Sequence, residues 1–568
     1  MIQDTGAGGG AASAPKLTHN EQIKEAIPTL AGTISATLQD PNADRFSEDD
    51  GQFLKFHGIY QQDDRDKRKV AKQYIFMVRG RLPGGVVEPA LYLTFDRLSA
   101  QCGNDTLRIT SRQGFQFHGV VKTALGPLMK GINEAMATTL AACGDVNRNV
   151  MSPPTPPREA WAEEVIADAR NVSDALLPKT RAYHAIWVEG VQLDLEAPEQ
   201  KSFVDPLYGK TYLPRKFKVA FAVPPLNDVD VLTNDLGFIA IAEGGRLLGY
   251  NVAVGGGLGM SHGNEATFPR LADVLAFVPR ERLIDVARAV LTIHRDFGDR
   301  TNRKHARIKY VLEEKGAAWC RAEIEQRIGL KLEDPRPVRF DQQGDIFGWH
   351  AQQDGRQFLG LYIEAGRIKD TPEIRLKSAL RQIMAEFKTE MRLTPSQNLV
   401  LANVETADVA GVNRILAAHG VPVENQGSVL RRASMACPAM PTCGLALAES
   451  ERFLPTLMDR VEGLLREVGL AEEEIVIRMT GCPNGCARPY MAELGFVGKA
   501  PGKYQIYLGG NESSTRLNQL FRENVKEADI AGELRPLLAR FAQERTGRER
   551  FGDWCHRVVL GGPGPAAN

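Results

Sequence analysis

The sequence has 568 residues, 70 Lys and Arg against 70 Asp and Glu, and a hydrophobic content of 43%. Its length excludes a disulfide-stapled mini-protein and predicts three or four units of roughly 100–200 residues each. The neutral total excludes a bulk nucleic-acid binder or a basic membrane-surface protein, and no apolar run approaches the ~20 residues a spanning helix needs.

The first residues, MIQDTGAGGGAASAP, place no basic segment before an apolar one, so they do not read as a secretory signal; residues 1–15 hold an acid and no Arg, which argues against a transit peptide. Their Gly and Ala content predicts a loose tail over residues 1–22, and the expected compartment is the cytoplasm, where cysteines serve as thiols or metal ligands. Downstream, Gln73–Val78 and Ala90–Phe95 read as strands and Gly126–Ala142 as a helix. Phe217–Val223, Leu236–Ala242 and Val274–Val278 read as strands, with a helix over Glu281–Phe297. The first succession recurs as Gly360–Glu364, Lys377–Lys388, Leu399–Val404 and Val409–His419. Arg452–Val468 has the pattern of an amphipathic helix, and Glu474–Arg478 that of a strand leading into a cysteine loop. Helices and strands alternate too thoroughly for an all-α or all-β chain, so the fold class is α+β.

Two internal echoes predict a duplication. Arg108, Thr110 and Gln113 match Arg392, Thr394 and Gln397 at a constant offset of 284, and Phe76–Arg81 resembles Tyr362–Arg367 at an offset of 286.

Four of the eight cysteines are dispersed: Cys102, Cys143, Cys320 and Cys555. The other four form two loops, Cys437-Pro-Ala-Met-Pro-Thr-Cys443 and Cys482-Pro-Asn-Gly-Cys486. Four thiolates suit an iron–sulfur cubane or zinc, and the five-residue gap after Cys437 fits the shorter spacings of zinc sites poorly. Four buried cysteines without a metal is the third reading.

Cations gather in loops rich in Gly, Pro and amides: Arg79-Gly-Arg-Leu-Pro-Gly-Gly85, Arg112-Gln-Gly-Phe-Gln-Phe-His118, Gly144-Asp-Val-Asn-Arg-Asn149 and Tyr212-Leu-Pro-Arg-Lys-Phe-Lys218. Arg79 and Arg81 are two apart and would share one strand face, as would Lys216 and Lys218; like charges held so need an anion between them. A solvated surface is the plain alternative for any one of them. Phe115 and Phe117 suit either a stacking platform or a core strand, and His118 either a ligand or a structural histidine. Gly255-Gly-Gly-Leu-Gly259 is at most a weak phosphate-cradle signal, and Arg307 and Lys309 add possible anion contacts.

Together these strings resemble the siroheme-containing sulfite and nitrite reductases, with Asn302-Arg-Lys304, Ser434–Cys443, Thr480–Cys486 and Val497–Gly502 extending the likeness from about Ile23 to near Asp553. Within that family the likeness is nearest to hemoprotein subunits of the assimilatory, NADPH-linked branch. The resemblance implies six-electron reduction of sulfite to sulfide at a siroheme coupled to a [4Fe-4S] cluster, with a flavoprotein subunit bearing FAD and FMN as donor; ferredoxin-dependent reduction of sulfite or nitrite is the alternative. By position it makes Cys437, Cys443 and Cys482 cluster ligands and Cys486 the thiolate shared with the siroheme. It assigns Arg81, Arg148, Lys216 and Lys218 to the anion-binding catalytic face, and Arg79, Arg112, Gln113, Arg215 and Asn302 to holding siroheme. Gly80 gives the Arg79–Arg81 loop no thiol for the tyrosine bond of some ferredoxin-linked relatives. The implied fold has two ferredoxin-like halves about a pseudo-twofold axis and two larger α/β lobes. On that plan the chain divides into the tail (1–22), a first half (23–150), a first lobe (151–350), a second half (351–430) and a second lobe with the cluster cysteines (431–568).

Overall fold

Two five-stranded antiparallel sheets carry the internal repeat in the computed structural model, which describes residues 16–180, 187–188, 191–192, 204–341, 344–424 and 426–562. The first runs, in spatial order, Ile59–Asp63, Tyr74–Arg79, Phe115–Val120, Leu107–Ile109 and Arg367–Ile368. The second runs Gly348–Ala351, Gln357–Leu361, Leu399–Val404, Glu390–Leu393 and Val86–Val87. The order is the same, but the last strand is exchanged. Each half lends a two-residue strand to the other's sheet, Arg367 opposite Arg108 and Val86 opposite Arg392.

The register corrects the second echo. Val78 lies opposite Phe117, and Leu359 opposite Leu401, so the equivalent of Val78 is Leu359 at an offset of 281. Arg81 and Arg367 are therefore not counterparts; the real pair in this loop is Gly85 and Gly366. Both have a left-handed backbone (φ 73° and 71°), and a Cβ on either would lie 2.7 Å from a carbonyl oxygen of the other half, Leu393 for Gly85 and Ile109 for Gly366. Strain and clash coincide there. Gly85→Ala should lower the thermal unfolding midpoint clearly more than Gly469→Ala, whose φ of 76° faces open space. Equal shifts would show that the seam between the halves tolerates a side chain.

Each sheet is backed by two helices, Pro89–Cys102 and Lys122–Glu134 on the first, Leu376–Glu386 and Val409–Ala418 on the second. Ala90–Phe95, expected as a strand, lies inside Pro89–Cys102. The reason is periodicity: Tyr92, Phe95, Asp96, Ser99 and Cys102 are buried at three- and four-residue steps, and Pro89 occupies the first turn, where no N–H is needed. Lys122–Glu134 likewise stops short of the expected Ala142, because Met136 takes a left-handed φ of 55°. Across the pseudo-axis Lys377 and Arg381 both pair with buried Asp96, at 2.9 and 2.5 Å.

The lobes are a second repeated pair. One sheet runs Asp273–Pro279, Arg246–Val254, Leu236–Glu243, Val219–Ala222; the other runs Ser434–Ala436, Ile477–Thr480, Leu494–Ala500, Lys503–Leu508, Gln519–Lys526. Val219 pairs in parallel with Leu236, and Ile477 in parallel with Leu494, an offset of 258 in both strands. Helices Ala162–Ala175 and Leu283–Phe297 pack together on the first lobe, Leu454–Glu467 and Ile530–Glu544 on the second. One hydrophobic core joins both ferredoxin-like halves to the first lobe, and a separate core fills the second. The expected tail is shorter than read, since a helix begins at His19. Among the described residues no helix is long and apolar enough to cross a membrane.

Candidate active site

Parallel pairing of Ser434–Ala436 with Ile477–Thr480 aligns the ends of two strands, and each runs directly into one cysteine loop. The loops are laced together: Cys437 N–H donates to Met479 O (3.2 Å), Gly481 N–H to Cys437 Sγ (3.3 Å), and Leu447 and Ala448 N–H to Gly481 O (2.7 and 3.0 Å). Asn484 Nδ2 donates to Cys482 Sγ at 3.5 Å. A Cβ at Gly481 would lie 2.6 Å from that of Ala439, which explains glycine there. Burial pushes the Cys437 thiol up, and Cys482 up to about 11, with nearby Cys486 as the next cause for each. All eight cysteines are free thiols; Cys437 and Cys482 are buried, Cys443 is half-buried and Cys486 is exposed. The four thiols thus surround one another, yet among the described residues no trio of His, Cys, Asp or Glu converges tightly enough for a single metal ion. A multi-iron core spreads its thiolates more widely than a lone zinc ion does.

The other units grip this assembly. Arg65 donates to the carbonyls of Cys443 and Ala446. Arg108 reaches Ala436 O (2.8 Å) and Glu451 (2.8 Å), whose N–H donates to Cys437 O (3.1 Å). Burial would raise the Glu451 carboxyl, but Arg108 and Arg367 hold it down at about 2. Ser111 Oγ donates to Cys486 O at 2.8 Å.

Cys486 opens onto a cleft walled by Arg112, Lys216, Lys218, Arg307 and Arg488. Burial, then Arg215 and Arg307, pull the Lys216 ammonium down to about 7; burial, Lys216 and Arg112 put Lys218 well below its usual range. Among the described residues neither ammonium has a hydrogen bond or an ion pair. Arg307 is held bidentate by buried Asp235 (2.8 and 2.7 Å), which also accepts the Lys218 N–H (2.9 Å). Arg112 donates to Asn149 O, Asn234 Oδ1 and Val219 O at 2.7–3.2 Å, so it braces the wall.

The structure sorts the remaining expected residues. Arg81 is not in the cleft: the strand ends at Arg79, the chain turns at Gly80, and Arg81 Nη2 donates to Ser173 O (2.9 Å) and Ser173 Oγ (2.6 Å). Arg79, Arg148 and Arg215 all act electrostatically on the hydroxyl of Tyr60, and Gln116, with its amide turned to satisfy both ends, accepts from Arg79 Nη2 at 2.6 Å. Arg148 curls over its own loop, Nε donating to Gly144 O (2.8 Å), and its charge reaches Lys216. Gln113 is buried and saturated, donating to Ser152 O and Leu393 O and accepting from Ser152 N–H (2.8–3.0 Å), so it joins the halves and has no donor left for a cofactor. Asn302 lies on an exposed turn, its N–H donating to Asp299 Oδ1 (3.0 Å), away from the cleft wall.

His118 is buried, its Nε2 3.2 Å from the side-chain amide of Gln116; burial, then Arg367, hold its pKa well below the usual range, and it is not among the residues that wall the cleft. Phe115 and Phe117 pack edge-on against Phe95 in the core. The amides of Gly255, Gly256 and Gly257 donate to Asp235, Asn234 and Arg270 carbonyls (2.8–3.0 Å), so the glycine run is no phosphate cradle; it touches the cysteine loop through Met260 N–H to Pro483 O (2.9 Å). Sequence reasoning missed Arg488, two residues beyond Cys486, which pairs with Asp230 (2.5 Å) and donates to Ser111 O and Pro395 O (3.0 and 2.9 Å). It also missed Tyr60, on whose hydroxyl buried Cys143 acts electrostatically too.

The chain is similar to known proteins along most of its length. The family model described as the nitrite and sulphite reductase 4Fe-4S domain matches residues 166–332, and that of the nitrite/sulfite reductase ferredoxin-like half domain matches 69–135 and 350–419, together more than half of the chain. The chain belongs to the nitrite and sulphite reductase family. The sulfite reductase [NADPH] hemoprotein beta-component of Myxococcus xanthus (strain DK1622) is 50% identical, covering 95% of this chain and 96% of its own. That of Geobacillus kaustophilus (strain HTA426) is 47% identical, covering 95% of each. A solved structure titled "Structure of Mycobacterium tuberculosis NirA protein" matches with a TM-score of 0.78 at 25% identity, over 95% of this chain and 96% of that one. The four cysteines lie outside the segments matched by the family models, so their placement rests on the geometry above. As a member of this reductase family the chain is an enzyme whose cofactors are a siroheme and a [4Fe-4S] cluster. The site fits both: four neighbouring thiols, one opening onto a cleft, and two cleft lysines, Lys216 and Lys218, that have no carboxylate partner among the described residues.

Proposed function

We propose that this chain is the hemoprotein of an NADPH-dependent sulfite reductase and carries out the six-electron reduction of sulfite to sulfide. The names of relatives that match it nearly end to end support NADPH as the electron source, by way of a flavoprotein subunit. Cys437, Cys443, Cys482 and Cys486 would hold the cluster, Cys486 serving the siroheme as well. The bound cofactors supply one-electron redox capacity and a metal that takes up the substrate sulfur, which protein side chains cannot do.

The chain's own residues do the rest. Arg79, Arg148, Lys216 and Lys218 form the anion-binding face, with Arg79 in the role first read for Arg81. Their charges neutralise the sulfite oxygens and polarise the S–O bonds. Lys216 and Lys218 deliver protons to each departing oxygen, which leaves as water. Arg112, Arg215, Arg307 and Arg488 meet the eight carboxylates of a siroheme, whose burial would otherwise be prohibitive. Asn302 and Gln113 drop out of the holding set. The single observation that carries this reading is the pair of partnerless ammoniums facing the exposed Cys486 thiol across one cleft.

The five-part division given from the sequence is kept, with the tail ending before His19. Eight free thiols suit a reducing compartment, and we place the protein in the cytoplasm. The test is an assay of the coloured, iron-loaded protein with sulfite and with nitrite, each driven by a flavoprotein subunit and NADPH or by reduced ferredoxin. Sulfite turnover with the flavoprotein supports the reading. Turnover with ferredoxin alone would move the chain to the alternative, and a colourless protein without iron would refute both.

A further inference from the structure

The site as described needs electrons from outside, and one patch of the surface lies directly over the cluster loops. Within the Cys437–Ala446 loop, Gly444 and Leu445 are the segment that faces solvent, and Leu445 is 66% exposed beside half-buried Cys443. The carbonyls on either side of Leu445's turn, Cys443 O and Ala446 O, both accept from Arg65. Arg65 opens the surface segment Arg65-Asp-Lys-Arg-Lys-Val-Ala-Lys72, whose N–H at Arg65 donates to Pro441 O (3.3 Å) and whose Asp66 pairs with Arg452 (2.7 Å) beyond the cysteine loop. Two exposed strings, one basic and one carrying a thiolate ligand, are thus pinned side by side.

The basic string is apolar at its tip and cationic around it. Val70 is 94% exposed. Within residues 63–72, Asp63 is taken by Arg68 and Asp64 lies 3.7 Å from Lys67. Lys69 and Lys72 form no ion pair among the described residues, Lys72 lying over the Tyr74 ring instead. The patch therefore carries excess positive charge on a chain whose total is zero, framed by two exposed aliphatic side chains. Small apolar contacts within a charged rim are the make-up of weak, fast electron-transfer encounters, in which complementary charge governs the on-rate.

We infer that residues 65–72 together with Leu445 form the docking face for an acidic, flavin-bearing electron-carrier domain, placed where the Cys437–Ala446 loop meets solvent. This rests on the proposed function. Each encounter oxidises the carrier by one electron and reduces the enzyme by one. Six encounters, with eight protons from solvent, convert one sulfite dianion into hydrogen sulfide and three waters, so no further reductant is required. Charge complementarity selects a carrier with a negative surface, and the exposed Val70 and Leu445 set the contact point.

The test uses cofactor-loaded enzyme in four forms: unmodified, Lys69→Glu/Lys72→Glu, Val70→Glu and Leu445→Ser. Sulfite reduction is measured with NADPH through the flavoprotein subunit of an NADPH sulfite reductase, and separately with chemically reduced methyl viologen, which needs no docking face. The flavoprotein-driven kcat/KM should fall roughly tenfold or more in the charge-reversed form, with the viologen-driven rate and the visible spectrum unchanged. Leu445→Ser should show the same split, more weakly. Unchanged flavoprotein-driven rates in all forms would overturn the docking face, as would equal losses with both donors. Loss confined to a reduced-ferredoxin assay would overturn the flavin-bearing occupant. If unmodified enzyme fails to reduce sulfite even with methyl viologen, it is the proposed function that fails.

Discussion

Cys486→Ser should strip the enzyme of its coupled cofactor spectrum and lower sulfite turnover more than about 100-fold, beyond the loss that follows removal of an outer-shell metal partner. The argument is chemical and positional. A hard alkoxide oxygen does not replace a soft, polarizable thiolate on iron. Cys486 is also the exposed member of the four, opening onto the cleft that Lys216 and Lys218 wall, whereas Cys437 and Cys482 are enclosed. Its loss should therefore uncouple the two cofactors, with iron and tetrapyrrole content reporting whether either is released. Cys102→Ser, in a helix of the first half, should leave the spectrum intact. A Cys486→Ser protein with normal spectrum and turnover would refute its bridging role.

Lys218→Met should keep both cofactors and slow sulfite reduction by about 10²–10⁴-fold, the range for removing a positioned proton donor. Methionine keeps an unbranched side chain one atom shorter than that of lysine and deletes the charge and the proton. A second readout separates this role from packing. In protein prepared without cofactor, burial and the neighbouring arginines pull the Lys216 pKa from 10.5 to about 7, and Lys218 is likewise held well below its usual range. Below pH 7 Lys216 is charged in both folded and unfolded chains, and the folded state bears the full cost of its burial. Above pH 7 the folded lysine is neutral while the unfolded one stays protonated up to its ordinary 10.5. The unfolded state then binds more protons, so stability rises with pH through this window. Lys218→Met should flatten that rise, and loading the polyacidic cofactor should abolish it by returning the lysines to their charged forms. Turnover unchanged by the substitution would remove Lys218 from the catalytic set.

The sequence exposed the parts of the site whose chemistry is fixed by spacing. Paired cysteine loops and the Lys-Phe-Lys string were legible because ligand spacing and two-residue alternation survive folding: Lys216 and Lys218 do face the same cleft. The same alternation misled at Arg79 and Arg81, since it holds only inside a strand. There the strand stops at Arg79, Gly80 turns under Phe95, and Arg81 bridges to Thr138 instead. Gln113 was misread for another reason: a polar residue beside cations resembles a ligand, yet its left-handed backbone and buried amide belong to the seam, as in its counterpart Gln397. The duplication was visible in the Arg-x-Thr-x-x-Gln repeat. The repeat of the lobes carried an unread signal, Leu236-Gly-Phe238 against Leu494-Gly-Phe496, which the parallel registers align. Ala90–Phe95 failed because a short apolar run does not by itself distinguish strand from helix.

The exchange of Val86–Val87 and Arg367–Ile368 between the two sheets has a mechanical consequence. Neither half owns a complete sheet, and pulling them apart would expose raw backbone edges on both. The core is continuous across that junction as well. The molecule is therefore interlocked, like two clasped hands, and has no hinge between its halves. The site therefore rests on a seam that cannot part without breaking both sheets. A rigid frame of this kind suits a reaction whose partially reduced sulfur must not escape between steps.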